Sequence, residues 1–175
     1  HADRPIFVFG FTFLIWSAFV QELQARGEVL PLQNGFLLHG GGWKKLTAQA
    51  VDNPTFKAAI AATTGLTRVH NYYGMVEQTG TIFMECPEGH LHAAPGGDVM
   101  IRDPQTHAPL PHGQTGLIQV FSTIQDSYPG HALLTEDVGR TYPGSSCPCG
   151  RAGTIVEIDG RLTQAEVRGC SDAYS

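Results

Sequence analysis

The sequence predicts an α/β protein in which a parallel βαβαβ half is followed by a small β-rich half. In residues 1–80, short apolar runs alternate with stretches whose apolar residues recur at helical spacing. From about residue 81 onward, short strand candidates alternate with turn signals built from Pro, Gly and Asp. This change of pattern divides the chain into an α/β subdomain at 1–80, a β-rich subdomain at 81–160 and a C-terminal segment at 161–175.

The first half contains three predicted strands and two predicted helices. Gly27 and Gly65 each follow a helical stretch at the position where a glycine cap is common, and Pro54 stands in the first turn of the second stretch. The order strand–helix–strand–helix–strand implies a parallel sheet with right-handed crossovers. The strands are predicted at 6–9, 36–38 and 69–73, and the helices at 12–26 and 53–62.

The second half has a different sequence pattern, in which the strand candidates are short and bounded by turns. Asp103-Pro104 and the Pro-His-Gly sequence at 111–113 are strong turn signals. We expect this half to form a small antiparallel barrel or sandwich packed on the α/β half. Its strands are predicted at 80–84, 98–101, 116–121 and 154–158.

Composition and charge exclude several classes of protein. The chain carries 11 Lys and Arg against 16 Asp and Glu, a net charge of −5, which lacks the basic footprint of a nucleic-acid-binding protein. Its longest apolar stretch, at 5–20, is shorter than the roughly 20 residues that span a bilayer. Four cysteines are too sparse for a disulfide-stapled secreted scaffold. We therefore expect a cytoplasmic protein with no membrane span, and the missing initial Met suggests a piece of a longer chain.

Two loops carry residues suited to a nucleotide. The glycines at 40–42 allow a close backbone approach to a ligand, although a tight turn without a ligand is the more common explanation. In the segment 73–77, Tyr73 offers a ring that can stack on a base, and Glu77 offers a carboxylate that can hold Mg²⁺ near phosphates. A core tyrosine and a solvated glutamate are the simpler alternatives. Both loops follow predicted strands, and ligands of parallel sheets lie beyond the carboxyl ends of strands.

Two charged residues further along the chain complete the candidate set. Asp137 follows an apolar run, and a carboxylate at a strand end can accept hydrogen bonds from both hydroxyls of a ribose. Arg161 supplies a cation just after the strand predicted at 154–158. A turn-forming aspartate and a surface arginine are the alternatives.

Taken together and in this order, these motifs resemble the adenylate-forming superfamily of acyl-CoA ligases, luciferases and peptide-synthetase adenylation domains. The sequence Cys-Pro-Cys-Gly-Arg at 147–151 resembles the phenylacetate–CoA ligase branch. A narrower resemblance is to the acyl-protein synthetase family, the fatty-acyl-protein synthetases of bacterial bioluminescence. It is carried by FGFT at 9–12, HGGGWKK at 39–45, YGMVEQTG at 73–80 and AEVRGCSDAY at 165–174.

The resemblance implies a partial adenylate-forming fold and ATP-dependent activation of a carboxylic acid, a fatty acid in this family. The acid becomes an acyl-adenylate, and the acyl group passes to a protein cysteine. ATP and Mg²⁺ are the implied cofactors, and an acyl reductase is the implied partner. Glu77 orients Mg²⁺, and the implied nucleotide contacts come from Gly41, Gly42, Tyr73, Gly74, Asp137 and Arg161.

The sequence departs from the superfamily pattern in two places. Val76 stands where relatives have a threonine that contacts the α-phosphate, and Thr79 or Gln78 is the candidate replacement. The phosphate loop and the mobile C-terminal domain of larger relatives are absent from these 175 residues. We therefore expect the C-terminal half of a catalytic domain, which needs its N-terminal half and is inactive alone.

The cysteines divide into a predicted metal set and one remaining thiol. Cys86, His92, Cys147 and Cys149 form a Cys₃His set typical of structural Zn²⁺, with His90 as the alternative histidine; four unrelated residues are the alternative. By resemblance, Cys170 is the acyl acceptor, where Arg168 favours the thiolate and Asp172 opposes it. A small buried cysteine is the other interpretation.

Three further alternatives remain open. An acyl-CoA ligase-like enzyme would need no acceptor thiol. A non-catalytic, zinc-stapled piece would bind no ATP. The apolar segment 7–19 either lines an acyl pocket or is simply core strand and helix.

Overall fold

The computed structural model describes residues 4–162, and its ten strands form one mixed sheet. The spatial order is β1-β2-β3-β4-β5-β10-β9-β8-β6-β7. β1, β2 and β3 are parallel, and every other pairing is antiparallel. The strands are β1 Phe7–Phe11, β2 Phe36–Gly40, β3 Val69–Tyr73, β4 Phe83–Glu85, β5 Leu91–His92, β6 Gly97–Arg102, β7 Pro109–Leu110, β8 Gly116–Ser122, β9 Ala132–Tyr142 and β10 Ile155–Arg161.

Two helices connect the parallel strands, as the sequence predicts. The first helix covers residues 12–26 and contains a π-helical segment, Ile15–Val20, between two α-helical ends. The second helix is Asn53–Thr64, and Asp52 caps it by accepting a hydrogen bond from the Thr55 amide at 2.8 Å. Gly27 and Gly65 end the two helices in the left-handed conformation, with φ of 62° and 70°. The predicted glycine caps are therefore confirmed. Short 3₁₀ turns lie at Lys44–Gln49, Val76–Gln78 and Gly144–Ser146.

Both helices pack on one face of β1–β3. Leu37 of β2 and Val69 of β3 point to this face, where they meet Trp16, Phe56 and Ile60 from the helices. A second apolar cluster lies in the antiparallel part of the sheet and includes Phe83, Ile101, Ile118, Val120 and Val156. None of the described helices is long and apolar enough to cross a membrane.

The opposite face of β1–β3 carries a row of stacked rings that we call the aromatic face. It consists of Phe7, Phe9, Phe36, His70 and Tyr72, whose successive ring centroids are 5.2–6.4 Å apart. Phe7 is 63% exposed and Phe9 is 58% exposed. The segment 7–19 is therefore core only in part: Trp16 is buried in the helix-covered core, while Phe7 and Phe9 are exposed to solvent.

The β-rich half was predicted to pack on the α/β half as a small antiparallel barrel or sandwich, but its strands instead continue the same sheet. β4 pairs antiparallel with β3, with Tyr72 opposite Met84 and Tyr73 opposite Phe83, so the hydrogen-bond ladder continues from one half into the other. The strand predicted at 80–84 begins only at Phe83, because residues 76–78 form a 3₁₀ turn and the chain turns again at 79–80. The boundary predicted at residue 80 stays a prediction, while the α/β fold class is confirmed.

Candidate nucleotide site and Cys/His cluster

The glycine loop and the Tyr73 loop both follow carboxyl ends of parallel strands, as predicted. β2 ends at Gly40 and β3 ends at Tyr73. A Cβ on Gly40 would lie 2.5 Å from the Tyr72 ring, so only glycine allows the two strands this packing. Gly41 has a φ of 78°, and a Cβ on Gly42 would meet nothing within 4 Å. The loop therefore presents exposed backbone at the edge where parallel sheets bind ligands.

Tyr73, Asp137 and Arg161 come together although they are far apart in the sequence. The Tyr73 hydroxyl donates to Asp137 Oδ2 at 2.7 Å, and Arg161 Nε lies 3.4 Å from Asp137 Oδ1. Burial raises the pKa of Tyr73 well above its usual value, and the Asp137 charge raises it further, so the phenol stays neutral. Asp137 lies inside β9, opposite Arg161 of β10, and not after a strand as expected. The antiparallel pairing of β9 with β10 therefore builds this cluster.

The turn at Val76–Gln78 exposes Glu77 and buries its neighbour Gln78. The Gln78 side chain is 1% exposed and donates to the Gly130 carbonyl at 2.8 Å. Gln78 therefore points into the protein and does not replace the threonine that relatives have at Val76. Thr79 is exposed and remains the candidate for that hydroxyl contact.

Four predicted metal ligands meet at one place. The donor atoms of Cys86, His92, Cys147 and Cys149 all lie within 4.8 Å of one another. The Cys86 and Cys147 sulfurs are 3.7 Å apart, and His92 Nε2 is 3.5 Å from the Cys149 sulfur. Bonds of about 2.3 Å from zinc to sulfur and about 2.0–2.1 Å from zinc to nitrogen give tetrahedral edges of about 3.8 Å and about 3.5 Å. The set therefore fits Zn²⁺, and His90, whose Nδ1 is 3.2 Å from the Cys147 sulfur, lies beside it.

The pKa shifts of the cluster differ from one ligand to the next. Desolvation raises the pKa of Cys147 to about 11, while the Arg151 backbone amide lowers the pKa of Cys149. Burial lowers the pKa of His92, which favours the neutral imidazole that binds metals. Metal binding would release the remaining thiol protons, as is usual for cysteine sites.

The two halves of the cluster are held by neighbouring strands. Cys86 follows β4, and its amide donates to the His90 carbonyl at 2.8 Å before β5 brings in His92. The loop containing Cys147 and Cys149 leads into β10, which pairs with β5. Arg151 Nη1 also donates to the Glu85 carbonyl at 3.3 Å. The ligands are therefore positioned by backbone pairing between segments about 60 residues apart.

Two buried polar residues near these sites were missed by the sequence analysis. Glu85 is 1% exposed, and its carboxylate accepts from Lys57 at 2.8 Å and from the Asn71 amide at 2.7 Å. His39 is 3% exposed, and its Nδ1 is 2.9 Å from the Thr12 hydroxyl. Burial lowers the pKa of His39 to about 4. Of the two, only His39 could have been singled out from the sequence, because it stands directly before the glycine loop.

Cys170, the predicted acyl acceptor, lies outside the described residues 4–162. Its role therefore stays a prediction. The same holds for Arg168 and Asp172, which were expected to influence its thiol.

Comparison with known proteins gives matches that agree with this architecture. The family model for acyl-protein synthetase, LuxE, matches residues 1–175. A long-chain-fatty-acid–luciferin-component ligase of Vibrio harveyi is 33% identical over 145 residues, which cover 80% of this chain and 36% of that protein. The chain thus spans about a third of the length of this curated relative.

Two solved structures have the same fold at low sequence identity. One is a 2-hydroxyisobutyryl-CoA ligase in complex with 2-HIB-AMP and CoA, with a TM-score of 0.68 and 19% identity over 90% of this chain and 34% of that chain. The other is ATP-bound MatB from Rhodopseudomonas palustris, with a TM-score of 0.59 and 18% identity over 91% of this chain and 31% of that chain. The described part of the molecule is a partial adenylate-forming enzyme fold. The chain belongs to the LuxE family of acyl-protein synthetases.

Proposed function

We propose that this chain is part of an ATP-dependent acyl-protein synthetase, a ligase that activates a fatty acid and transfers it to a protein cysteine. The observation that carries this proposal is the Tyr73–Asp137–Arg161 cluster. Its Tyr73 ends the parallel strand β3, next to β2, which ends at the glycine loop. Family membership and the fatty-acid ligase from Vibrio harveyi support the reaction class. The ATP bound to MatB supports the nucleotide.

In this proposal, the protein positions the nucleotide and stabilises its charge. Asp137 uses one oxygen for Tyr73 and faces Arg161 with the other, and a carboxylate has further lone pairs for ribose hydroxyls. The Tyr73 ring borders the adenine, with the backbone of Gly41, Gly42 and Gly74 alongside. Glu77 is exposed on the next turn, where it would hold Mg²⁺ near the phosphates. Positioning of this kind is the main contribution of a protein to phosphate chemistry.

We further propose that the aromatic face receives the acyl chain. This face is apolar, exposed, and continues along β1–β3 to the strand ends where the nucleotide would lie. Covering an exposed phenylalanine contributes roughly 1.5–3 kcal/mol, so an alkyl chain along Phe7 and Phe9 would gain substantial affinity. The other outcome is that protein segments from the rest of the enzyme cover this face.

The second half-reaction would transfer the acyl group to Cys170. Its thiolate attacks the carbonyl carbon of the acyl-adenylate, the C–S bond forms, the C–O bond to phosphate breaks, and AMP leaves. A thioester on Cys170 would then be available to an acyl reductase. The Cys/His cluster would hold a structural Zn²⁺, because four protein ligands leave no position for a reactive water.

The test uses the full-length enzyme with ATP, Mg²⁺ and a radiolabelled fatty acid. Wild type is expected to exchange pyrophosphate and to carry a label that hydroxylamine removes. The Cys170→Ser variant is expected to exchange pyrophosphate but to retain no thiol-linked label. Full thioester labelling of Cys170→Ser would remove the acceptor role, and rapid transfer from wild type to free coenzyme A would favour an acyl-CoA ligase.

A further inference from the structure

The turn that carries Glu77 is only weakly held by its own backbone. Val76–Gln78 is a single 3₁₀ turn, and Val76 is 66% exposed. Its backbone hydrogen bonds are long, at 3.2 Å from the Gln78 amide to Met75 and 3.4 Å from the Thr81 amide to Gln78. One short turn of this kind is marginal by itself. Contacts from other parts of the protein therefore add to the support of the backbone that carries Glu77.

Residues 123–131, the connection between β8 and β9, supply these contacts, and we call them the brace loop. The Tyr128 hydroxyl donates to the Glu77 carbonyl. Gln78 Nε2 donates to the Gly130 carbonyl at 2.8 Å, and Gln125 Nε2 donates to the Thr79 carbonyl at 2.9 Å. Three consecutive residues of the turn are thus tied to one loop by side-chain hydrogen bonds.

The brace loop has a compact local structure that suits this task. A Cβ on Gly130 would lie 2.5 Å from the Tyr128 ring, so glycine at 130 allows the ring to pack directly over the backbone. Gln78 and Gln125 are 1% and 7% exposed, whereas Tyr128 is 41% exposed at the surface. The two buried amides bind the turn on its buried side, and the Tyr128 hydroxyl binds it on its exposed side.

We propose that Gln78 and Tyr128 are positioning residues, which act through the backbone of residues 77–79 to aim the Glu77 carboxylate at Mg²⁺. This inference rests on the proposed function, because it assigns a purpose to contacts around the proposed Mg²⁺ residue. Neither residue would touch the nucleotide. Because Tyr128 is at the surface, loss of its hydroxyl would affect the use of Mg²⁺ more than the stability of the fold.

The test measures how fatty-acid-dependent pyrophosphate exchange by the full-length enzyme depends on Mg²⁺ concentration. Tyr128→Phe removes one hydroxyl and keeps the ring over Gly130, so the fold is retained. It is expected to raise the half-saturating Mg²⁺ concentration about 3- to 10-fold, the usual effect of one lost hydrogen bond. Gln78→Glu sets a carboxylate against the Gly130 carbonyl and is expected to have a larger effect.

Tyr142→Phe is the matched control, because its hydroxyl is 3.3 Å from Glu157 on the β9–β10 ladder, away from the turn. It is expected to leave the Mg²⁺ dependence unchanged. A Tyr128→Phe enzyme with wild-type Mg²⁺ dependence and a lowered melting temperature would reduce the brace loop to a structural role and overturn the inference. A wild-type enzyme that exchanges no pyrophosphate would instead refute the proposed function, so the two failures are distinguishable.

Discussion

Replacing Glu85 by glutamine tests how much a buried carboxylate stabilises the junction between the helices and the sheet. Oε1 accepts from Lys57 at 2.8 Å and from the Asn53 side chain, while Oε2 accepts from the Asn71 amide at 2.7 Å. Burial acts to raise the pKa of Glu85, but these hydrogen bonds and the Lys57 charge outweigh it and hold the pKa below its usual value. The side chain is therefore charged at neutral pH.

The expected cost of Glu85→Gln follows from these contacts. The amide oxygen can replace only one carboxylate oxygen, and the amide nitrogen must then face a donor, either the Asn71 amide or the Lys57 and Asn53 groups. Loss of a charge-assisted hydrogen bond costs about 1.5–3 kcal/mol, and a buried donor left without an acceptor costs about 1–3 kcal/mol. Lys57 is 31% exposed and can turn to water, so the loss of its hydrogen bond should cost an amount near the lower end of the first range. We expect the free energy of unfolding to fall by about 2–5 kcal/mol.

The assay is chemical unfolding of the chain, followed by the fluorescence of Trp16 and Trp43. Glu88→Gln is the matched control, because Glu88 is exposed on the turn next to Glu85 and should change stability by less than about 0.5 kcal/mol. A carboxyl with a lowered folded pKa stabilises above its unfolded pKa and loses this effect as the pH falls through the folded value. The difference between wild type and Glu85→Gln should therefore shrink below about pH 4.5. A Glu85→Gln variant as stable as wild type at pH 7 would refute the reasoning.

Three further predictions concern the nucleotide site, the metal and His39. Asp137→Ala in the full-length enzyme should raise the dissociation constant of ATP about 5- to 150-fold by isothermal titration, from about 1–3 kcal/mol of lost hydrogen bonding, and unchanged affinity would remove Asp137 from the site. Protein purified without chelators should contain one equivalent of zinc by elemental analysis, which Cys147→Ser loses and Cys170→Ser retains; metal-free wild type would contradict the zinc proposal. Because the pKa of His39 is about 4 when folded and 6.5 in its ordinary state, the unfolded chain takes up the proton first as the pH falls. The free energy of unfolding should thus decrease by about 3 kcal/mol between pH 6.5 and 4. The His39→Asn variant should lose most of this pH dependence in the same unfolding assay, and an unchanged dependence would assign it to another group.

Local patterns were sufficient for the parallel half of the fold. Apolar runs, helical spacing and the glycines at 27 and 65 specify strands, helices and their ends within a few neighbouring residues. β9 was missed because Glu136, Asp137 and Arg140 interrupt its apolar pattern, although the strand has eleven residues. Its charged side chains are accommodated by ion pairs with β10, which a strand pattern does not reveal.

For the candidate site, the sequence alone determined which residue types are available and, through motif order, the family. It predicted the Cys/His set from two close-spaced pairs, and the donor atoms of that set do meet. Only the tertiary structure decided that β3 and β4 join the two halves into one sheet, that the Tyr73 hydroxyl holds Asp137, and that Gln78 points into the protein while Thr79 faces outward. The physical reason is distance along the chain. Hydrogen bonds such as Tyr73–Asp137 and Gln78–Gly130 join residues more than 50 positions apart, and their energies depend on burial and geometry that no local window of sequence contains.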